Sequence, residues 1–152
     1  MDMIDATTLT WKNEQTGKSQ GIEVSSEWRI AEKWRVSSSY TWMDMSLDGG
    51  NETYEESTPA NQFQIRSYMD ITRTLEINSA IYYYDPVPQY DIPSLTRLDI
   101  GVTWRPKNNM EIRLWGQNLS DREHQEYGDD PIVAASTSEI QRCVYGSLSY
   151  KF

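Results

Sequence analysis

The chain has 152 residues, with 14 Lys+Arg against 23 Asp+Glu and a formal net charge of -9. That length suits one domain or a piece of something larger, and the acidic balance argues against electrostatic capture of nucleic acid. A single cysteine, Cys143, excludes an internal disulfide framework, and a single histidine, His124, argues against His-based metal clusters and catalytic triads.

No stretch approaches the roughly 18 apolar residues of a membrane helix. Aromatics nevertheless reach 12%, with 10 Tyr and 6 Trp but 2 Phe. Disordered acidic chains lack such content, and Tyr and Trp are favoured where one end of a ring is apolar and the other wet. Met1-Asp2-Met3-Ile4-Asp5 has neither a basic nor an apolar leader region, so no signal peptide is expected there.

Period two dominates from end to end. A weak strand comes first, with Leu9 and Trp11 against Thr8, Thr10 and Lys12. Ile22, Val24, Ser26, Trp28 and Ile30 then oppose Glu23, Ser25, Glu27 and Arg29, and Trp34, Val36, Ser38, Tyr40 and Trp42 oppose Arg35, Ser37, Ser39 and Thr41. Phe63, Ile65, Ser67, Met69 and Ile71 alternate with Gln62, Gln64, Arg66, Tyr68 and Asp70. Leu75, Ile77, Ser79, Ile81 and Tyr83 alternate with Glu76, Asn78, Ala80 and Tyr82. The clearest case is Leu98, Ile100, Val102 and Trp104 against Arg97, Asp99, Gly101, Thr103 and Arg105. Met110, Ile112 and Leu114 oppose Glu111, Arg113 and Trp115, and Val144, Gly146, Leu148, Tyr150 and Phe152 oppose Tyr145, Ser147, Ser149 and Lys151. The pattern predicts an all-β chain of about eight antiparallel strands.

Connections alternate in length. Short turns are expected at Ala31-Glu32-Lys33, Thr72-Arg73-Thr74 and Arg105-Pro106-Lys107-Asn108-Asn109. Polar loops of about 15, 10 and 19 residues run from Ser46 to Ala60, Asp85 to Ser94 and Ser120 to Ser138. Short turns on one rim and long loops on the other is the layout of outer-membrane barrels.

Alternation alone also fits a soluble barrel, so the wet face must be decided. On the apolar face, Trp28, Trp34, Trp104 and Phe152 fall near the short-turn rim, and Trp11, Trp42, Phe63 and Tyr83 near the other. A soluble core concentrates its rings at the centre, whereas these lie at the edges. Trp34 and Trp42 are about 26 Å apart along one strand at ~3.3 Å per residue. A tilt of about 40° reduces that to roughly 20 Å, close to the ~25 Å apolar band between aromatic girdles. The expected girdle is Trp28, Trp34, Trp42, Tyr83 and Trp104.

Several stretches then carry a family likeness. They are Ser19 to Val24, Thr58 to Phe63, Ile92 to Asp99, Trp104-Arg105-Pro106, Gly116-Gln117-Asn118-Leu119-Ser120-Asp121 and the ending Val144 to Phe152. In order and spacing the chain resembles the C-terminal barrel segment of TonB-dependent outer-membrane receptors. That resemblance implies a barrel of about 22 strands around an N-terminal plug, and uptake of iron-siderophores, cobalamin or a similar ligand. Residues 1–152 would be the C-terminal part of such a barrel, with plug and upstream strands absent. Expected partners are outer-membrane lipid, the barrel-assembly machinery, the rest of the barrel and the plug, with the TonB system met through the missing N-terminal part. The localisation implied is the bacterial outer membrane.

Leu148, Tyr150 and Phe152 resemble the assembly signal read by the outer-membrane insertion machinery. His124 among Glu123, Glu126, Asp129 and Asp130 reads as a solvated loop rather than a metal site. Tyr82-Tyr83-Tyr84 reads as one girdle residue between two luminal ones, and Asn51-Glu52-Thr53 and Asn118-Leu119-Ser120 as chance sequons. Cys143 projects to the lumen without a partner. No nucleophile–base pair, phosphate loop or paired catalytic carboxylate can be argued, so neither an enzyme nor a cofactor is expected. The rivals are a small eight-stranded outer-membrane barrel with a structural or adhesive role and a soluble ligand-binding barrel.

Overall fold

The computed structural model describes residues 16–48, 52–127 and 137–152. Seven strands form one antiparallel sheet. In chain order they are β1 (Thr16–Ala31), β2 (Trp34–Asp48), β3 (Asn61–Asp70), β4 (Leu75–Tyr84), β5 (Leu95–Lys107), β6 (Met110–Gln117) and, after the last long connection, β9 (Cys143–Tyr150). Within that connection β7 (Glu123–Tyr127) and β8 (Ser138–Gln141) pair as a separate hairpin. Short 3₁₀ turns over Glu52–Glu56 and Pro88–Tyr90 punctuate the other two long loops. The weak strand at Leu9 and Trp11 lies outside the described residues.

Each strand pairs antiparallel with its sheet neighbours, and the six ladders keep the two faces apart. One row of direct partners reads Trp28, Val36, Ser67, Ser79, Ile100, Gly116, Val144, and another runs from Trp34 through Met69, Ile77, Val102 and Leu114 to Gly146. These are the apolar-face residues of every strand. Pleat geometry explains the agreement: successive side chains alternate faces, so a correct phase in each strand gives a consistent face in the sheet.

The first row crosses the sheet on a slope. On β2 the ladder with β3 continues six residues beyond Val36, to Trp42, whereas β6 continues one residue beyond Gly116, to Gln117. The difference of about five residues is ~16 Å at 3.3 Å per residue, gained over four strand spacings of ~4.8 Å. The rim therefore inclines by roughly 40° to the rows, the strand tilt of transmembrane barrels.

Three sequence expectations shift, the first because β1 begins at Thr16 and β2 runs on to Asp48, into the loop expected from Ser46. The third short turn contracts to Asn108 and Asn109 because β5 runs on to Lys107. The ladder breaks register between Trp104 and Lys107, and such a bulge accommodates Pro106, which has no N–H to give. In place of the loop expected from Ser120 to Ser138 stands the β7–β8 hairpin, which runs on to Gln141 and whose residues offer no apolar alternation to read.

Candidate functional site

Within the seven-stranded sheet the buried side chains lie on the polar face. Ala80, Asp99, Gly101 and Thr103 are buried there, Asp99 at 2% exposure. The apolar face is open: Ile22 is 59% exposed, Val144 62% and Leu148 65%. A water-soluble sheet hides its apolar face and wets the other; here the order is reversed, with polar side chains crowded together and apolar ones splayed outward.

That polar face is organised by ion pairs. Arg105, carried inward just after Trp104, donates from Nη1 to Glu76 Oε1 at 2.6 Å and from Nε to Glu111 Oε2 at 2.8 Å. Arg113 reaches the other oxygen of Glu111 at 2.7 Å. Three strands are thus laced by one charge network, the form in which arginine–carboxylate contacts carry most geometric definition. Higher on the face, Arg97 grips Asp99 with two donors, Nε to Oδ1 at 2.9 Å and Nη2 to Oδ2 at 2.7 Å. The Tyr82 ring lies between the guanidiniums of Arg97 and Arg66, 5.3 and 5.7 Å from its centroid, within cation–π range. The Trp115 indole packs closely against Gly101, and a Cβ there would run into the ring.

Asp99 also joins two of the sequence stretches that carry the family likeness. Its Oδ1 accepts the backbone N–H of Asn118 at 3.0 Å, and Asn118 is 1% exposed with φ 54. Asn118 Nδ2 donates to Ile140 O, Leu119 N–H to Leu98 O, and the Ser120 hydroxyl to Thr96 O at 2.7 Å. The Gly116–Asp121 segment is therefore a buckle that closes β5, β6 and the β7–β8 hairpin at the long-loop end.

Two features mark that end on the outer face. Tyr40, Phe63 and Tyr83 are direct cross-strand neighbours. Tyr40 donates its hydroxyl to Asn61 Oδ1 at 2.6 Å, and Tyr83 donates to Asp85 Oδ1 at 3.0 Å. Asn61 Nδ2 and N–H both donate to Asp85 Oδ2. Asp85 sits in the loop after β4, and the Asn61 side-chain amide holds its carboxyl below the usual carboxylate range, with Tyr83 helping. The second feature is a change of phase. Register runs unbroken from Ile22↔Trp42 to Thr16↔Asp48. Below Trp42 the apolar residues of β2 point out; above it Met43, Met45 and Leu47 point to the polar face while Asp44, Ser46 and Asp48 point out, exposed. The outer partners on β1 are also polar: Gln20 opposite Asp44, Lys18 opposite Ser46 and Thr16 opposite Asp48. The outer surface changes from apolar to polar at one level of an uninterrupted ladder.

The remaining expected residues take these places. Trp28 and Trp104 are about half exposed on the apolar face. Trp34 lies at the start of β2, its indole N–H donating to Ser67 Oγ at 2.9 Å. Trp42 stands opposite Ile22 and Asn61. Leu148, Tyr150 and Phe152 are exposed, and the last two rings meet edge to face at 5.2 Å. Cys143 stands opposite Gln117 in β9. The stacking of Tyr82 with Arg66 and Arg97, and of Trp115 against Gly101, was not legible in the sequence, since nothing along the chain ties positions so far apart.

A family model described as the TonB dependent receptor-like β-barrel matches residues 2–119. The chain belongs to the TonB-dependent receptor family. It aligns with a chain from the structure of the FpvAI–pyocin S2 complex at TM-score 0.71 and 12% identity, over 88% of this chain and 19% of that one. It aligns with the siderophore receptor PiuA from Acinetobacter baumannii at TM-score 0.67 and 19% identity, over 88% of this chain and 22% of that one. These likenesses establish the fold, and the chain spans about a fifth of each matched chain. TonB-dependent receptors are bacterial outer-membrane proteins and transporters, not enzymes; this chain is a barrel segment of one.

Proposed function

We propose that residues 1–152 are the C-terminal part of a receptor that takes up an iron-siderophore, cobalamin or a similar ligand across the outer membrane. The observation that carries this reading is the reversed sheet, apolar outside and ion-paired inside. The fold shared with PiuA, itself a siderophore receptor, favours the siderophore class. In this reading the rest of the barrel and a plug come from polypeptide outside these residues, and the TonB system acts through that part. Trp28, Trp34, Trp42, Tyr83 and Trp104 serve as interfacial anchors. Leu148, Tyr150 and Phe152 offer the insertion machinery an alternating apolar edge that can be met by strand addition.

The small-barrel rival fits less well, because among the described residues the outer edges of β1 and β9 carry no paired strand. The test is to delete the gene for the intact receptor, restore it, and measure entry of radiolabelled ferric siderophores and of cyanocobalamin with and without the proton gradient. Restored, energy-dependent entry of one ligand supports the assignment. Restored entry that ignores the gradient would make the protein a passive pore.

A further inference from the structure

At the long-loop end the polar face gives way to apolar side chains. A recess of about 430 Å³ opens there between the β4–β5 connection, the residues just before β3 and Gln125 of β7, within the ~300–1,000 Å³ of small-molecule sites. Tyr84, Val87, Tyr90, Ile92 and Leu95 supply its apolar wall. Tyr84 and Leu95 are direct partners on β4 and β5, two residues beyond the Tyr82↔Arg97 pair. The wall therefore passes from guanidinium and carboxylate to ring and aliphatic carbon within one pleat repeat.

The loop that walls the recess is braced. Val87 N–H donates to Ile92 O at 2.9 Å and Ile92 N–H returns to Val87 O at 3.2 Å, while Tyr90 N–H also donates to Val87 O. Asp91 turns the tip at φ 53. Pro86, Pro88 and Pro93 each fix one backbone angle, and Val87 is 8% exposed. A wall shaped in advance spares a ligand the cost of ordering it.

Charge decides what fits. Among the described residues that line the recess, the charged ones are Arg97 and Asp85. Arg97 already grips Asp99 with two donors, and Asp85 already accepts from Asn61 and Tyr83. An ionic group entering here would give up water for a wall whose charges are committed, which is costly. An uncharged ring gains apolar contact instead, with tyrosine rings as favourable neighbours and Ser57 and Gln125 as neutral hydrogen-bonding groups. We propose that this recess binds an uncharged ring of the transported ligand, a group standing clear of any chelated metal. That the ligand is a transported one rests on the uptake reading; the preference for an uncharged ring rests on the recess alone.

The test uses the intact receptor, purified in detergent, with three ring probes of one size: benzamide, benzoate and benzylammonium. Saturation-transfer NMR should show benzamide bound several-fold more strongly than either charged probe. Tyr90→Ala with Leu95→Ala should reduce the benzamide signal several-fold at unchanged yield of assembled barrel. Leu95→Lys, which adds an unpaired cation, should reverse the preference towards benzoate. Benzoate bound as well as benzamide by the wild type, or benzamide signals equal in wild type and the Ala double variant, would overturn the site. In cells, the Ala double variant should raise KM several-fold for whichever radiolabelled ferric siderophore or cyanocobalamin enters, and an unchanged KM would overturn the link to the transported ligand. Benzamide binding as expected in a receptor that admits none of these ligands would instead fail the uptake reading itself.

Discussion

Asp99 offers the most demanding check on how the wall is held together. Its carboxylate, 2% exposed, accepts two guanidinium bonds from Arg97 and the backbone N–H of Asn118, itself 1% exposed. Asp99→Ala removes all three. The stranded N–H of Asn118 costs about 1–3 kcal/mol, and lost bonds to a charged partner about 1.5–3 kcal/mol each. Arg97 recovers part of its share, because its side chain is 28% exposed and can turn to water. The net loss should be about 3–5 kcal/mol, the range for breaking a buried pair from one side. Asp99→Asn keeps the Oδ1 acceptor for Asn118 and gives up charge and one guanidinium bond, so about 1–2 kcal/mol is expected. Urea unfolding of the assembled receptor in lipid vesicles, followed by the heat-modifiable gel shift, reads both variants. Asp44→Ala, which loses one exposed contact from Gln20, is the control. If Asp99→Ala falls within about 0.5 kcal/mol of that control, the spread of ordinary surface changes, the buckle is not what secures the long-loop end.

Other outcomes follow from the same geometry. Gly101→Ala should cost about 1–3 kcal/mol by overpacking, and Trp115→Ala in the same chain should remove most of that cost; an additive double-mutant cycle would refute the close approach. Ile100→Arg should cost about 2–4 kcal/mol as a midplane charge on the lipid side, with Ser147→Leu on the opposite face far milder, and the reverse order of the two would invert the sheet. Asp85 has its folded pKa depressed, so its contribution is complete above the usual carboxylate value and disappears as pH falls through the folded one. Limited proteolysis of the Asp85–Ser94 loop should accelerate in that acid window in wild type and not in Asp85→Asn; identical profiles would disprove the linkage. Removing Phe152 should collapse outer-membrane yield while leaving unassisted refolding into pure lipid nearly unchanged, and equal losses would leave it as an interfacial anchor alone.

The faces of all seven strands of the sheet were legible because alternation is a property of each strand's own pleat. The strand ends were not. Thr16–Gly21 and Met43–Asp48 extend the first hairpin beyond the stretch expected, and β7 pairs with β8 in a region read as loop. In the first hairpin the outward residues there are polar, and β7 and β8 are short and mostly polar, so the apolar stripe that announces a strand is missing or changes phase. The extension of β5 past Arg105 to Lys107 was hidden for another reason: a bulge is a two-strand event, and one strand's sequence does not show which residue its partner will leave unmatched. The Asp99–Asn118 contact was hidden by distance. Both stretches carry the family likeness, with Asp99 and Asn118 19 positions apart, yet neither says that one supplies the acceptor for the other.

The phase change above Trp42 bears on the central question more directly than any single residue. A soluble barrel has one exterior, water, and its ladders have no reason to exchange inward and outward polarity while register continues. A barrel crossing lipid has two exteriors, stacked along each strand. Where the strand leaves the hydrocarbon, an outward apolar residue loses its favourable surroundings and an outward Asp or Ser gains hydration, so the preferred phase reverses without any shift in pairing. On β2 that reversal falls between Trp42 and Met43, next to the level where Tyr40 and Tyr83 turn their hydroxyls to Asn61 and Asp85. Two independent signals, one in alternation and one in hydrogen bonding, thus place the outer boundary of the apolar band within two residues of each other. Moving the reversal should move the boundary. Asp44→Leu with Ser46→Leu would extend the outward apolar face by about 13 Å along the strand at ~3.3 Å per residue. Spin labels at position 48 should then become accessible to a lipid-soluble quencher, and unchanged water exposure there would mean that the phase of β2 does not set the depth of the barrel.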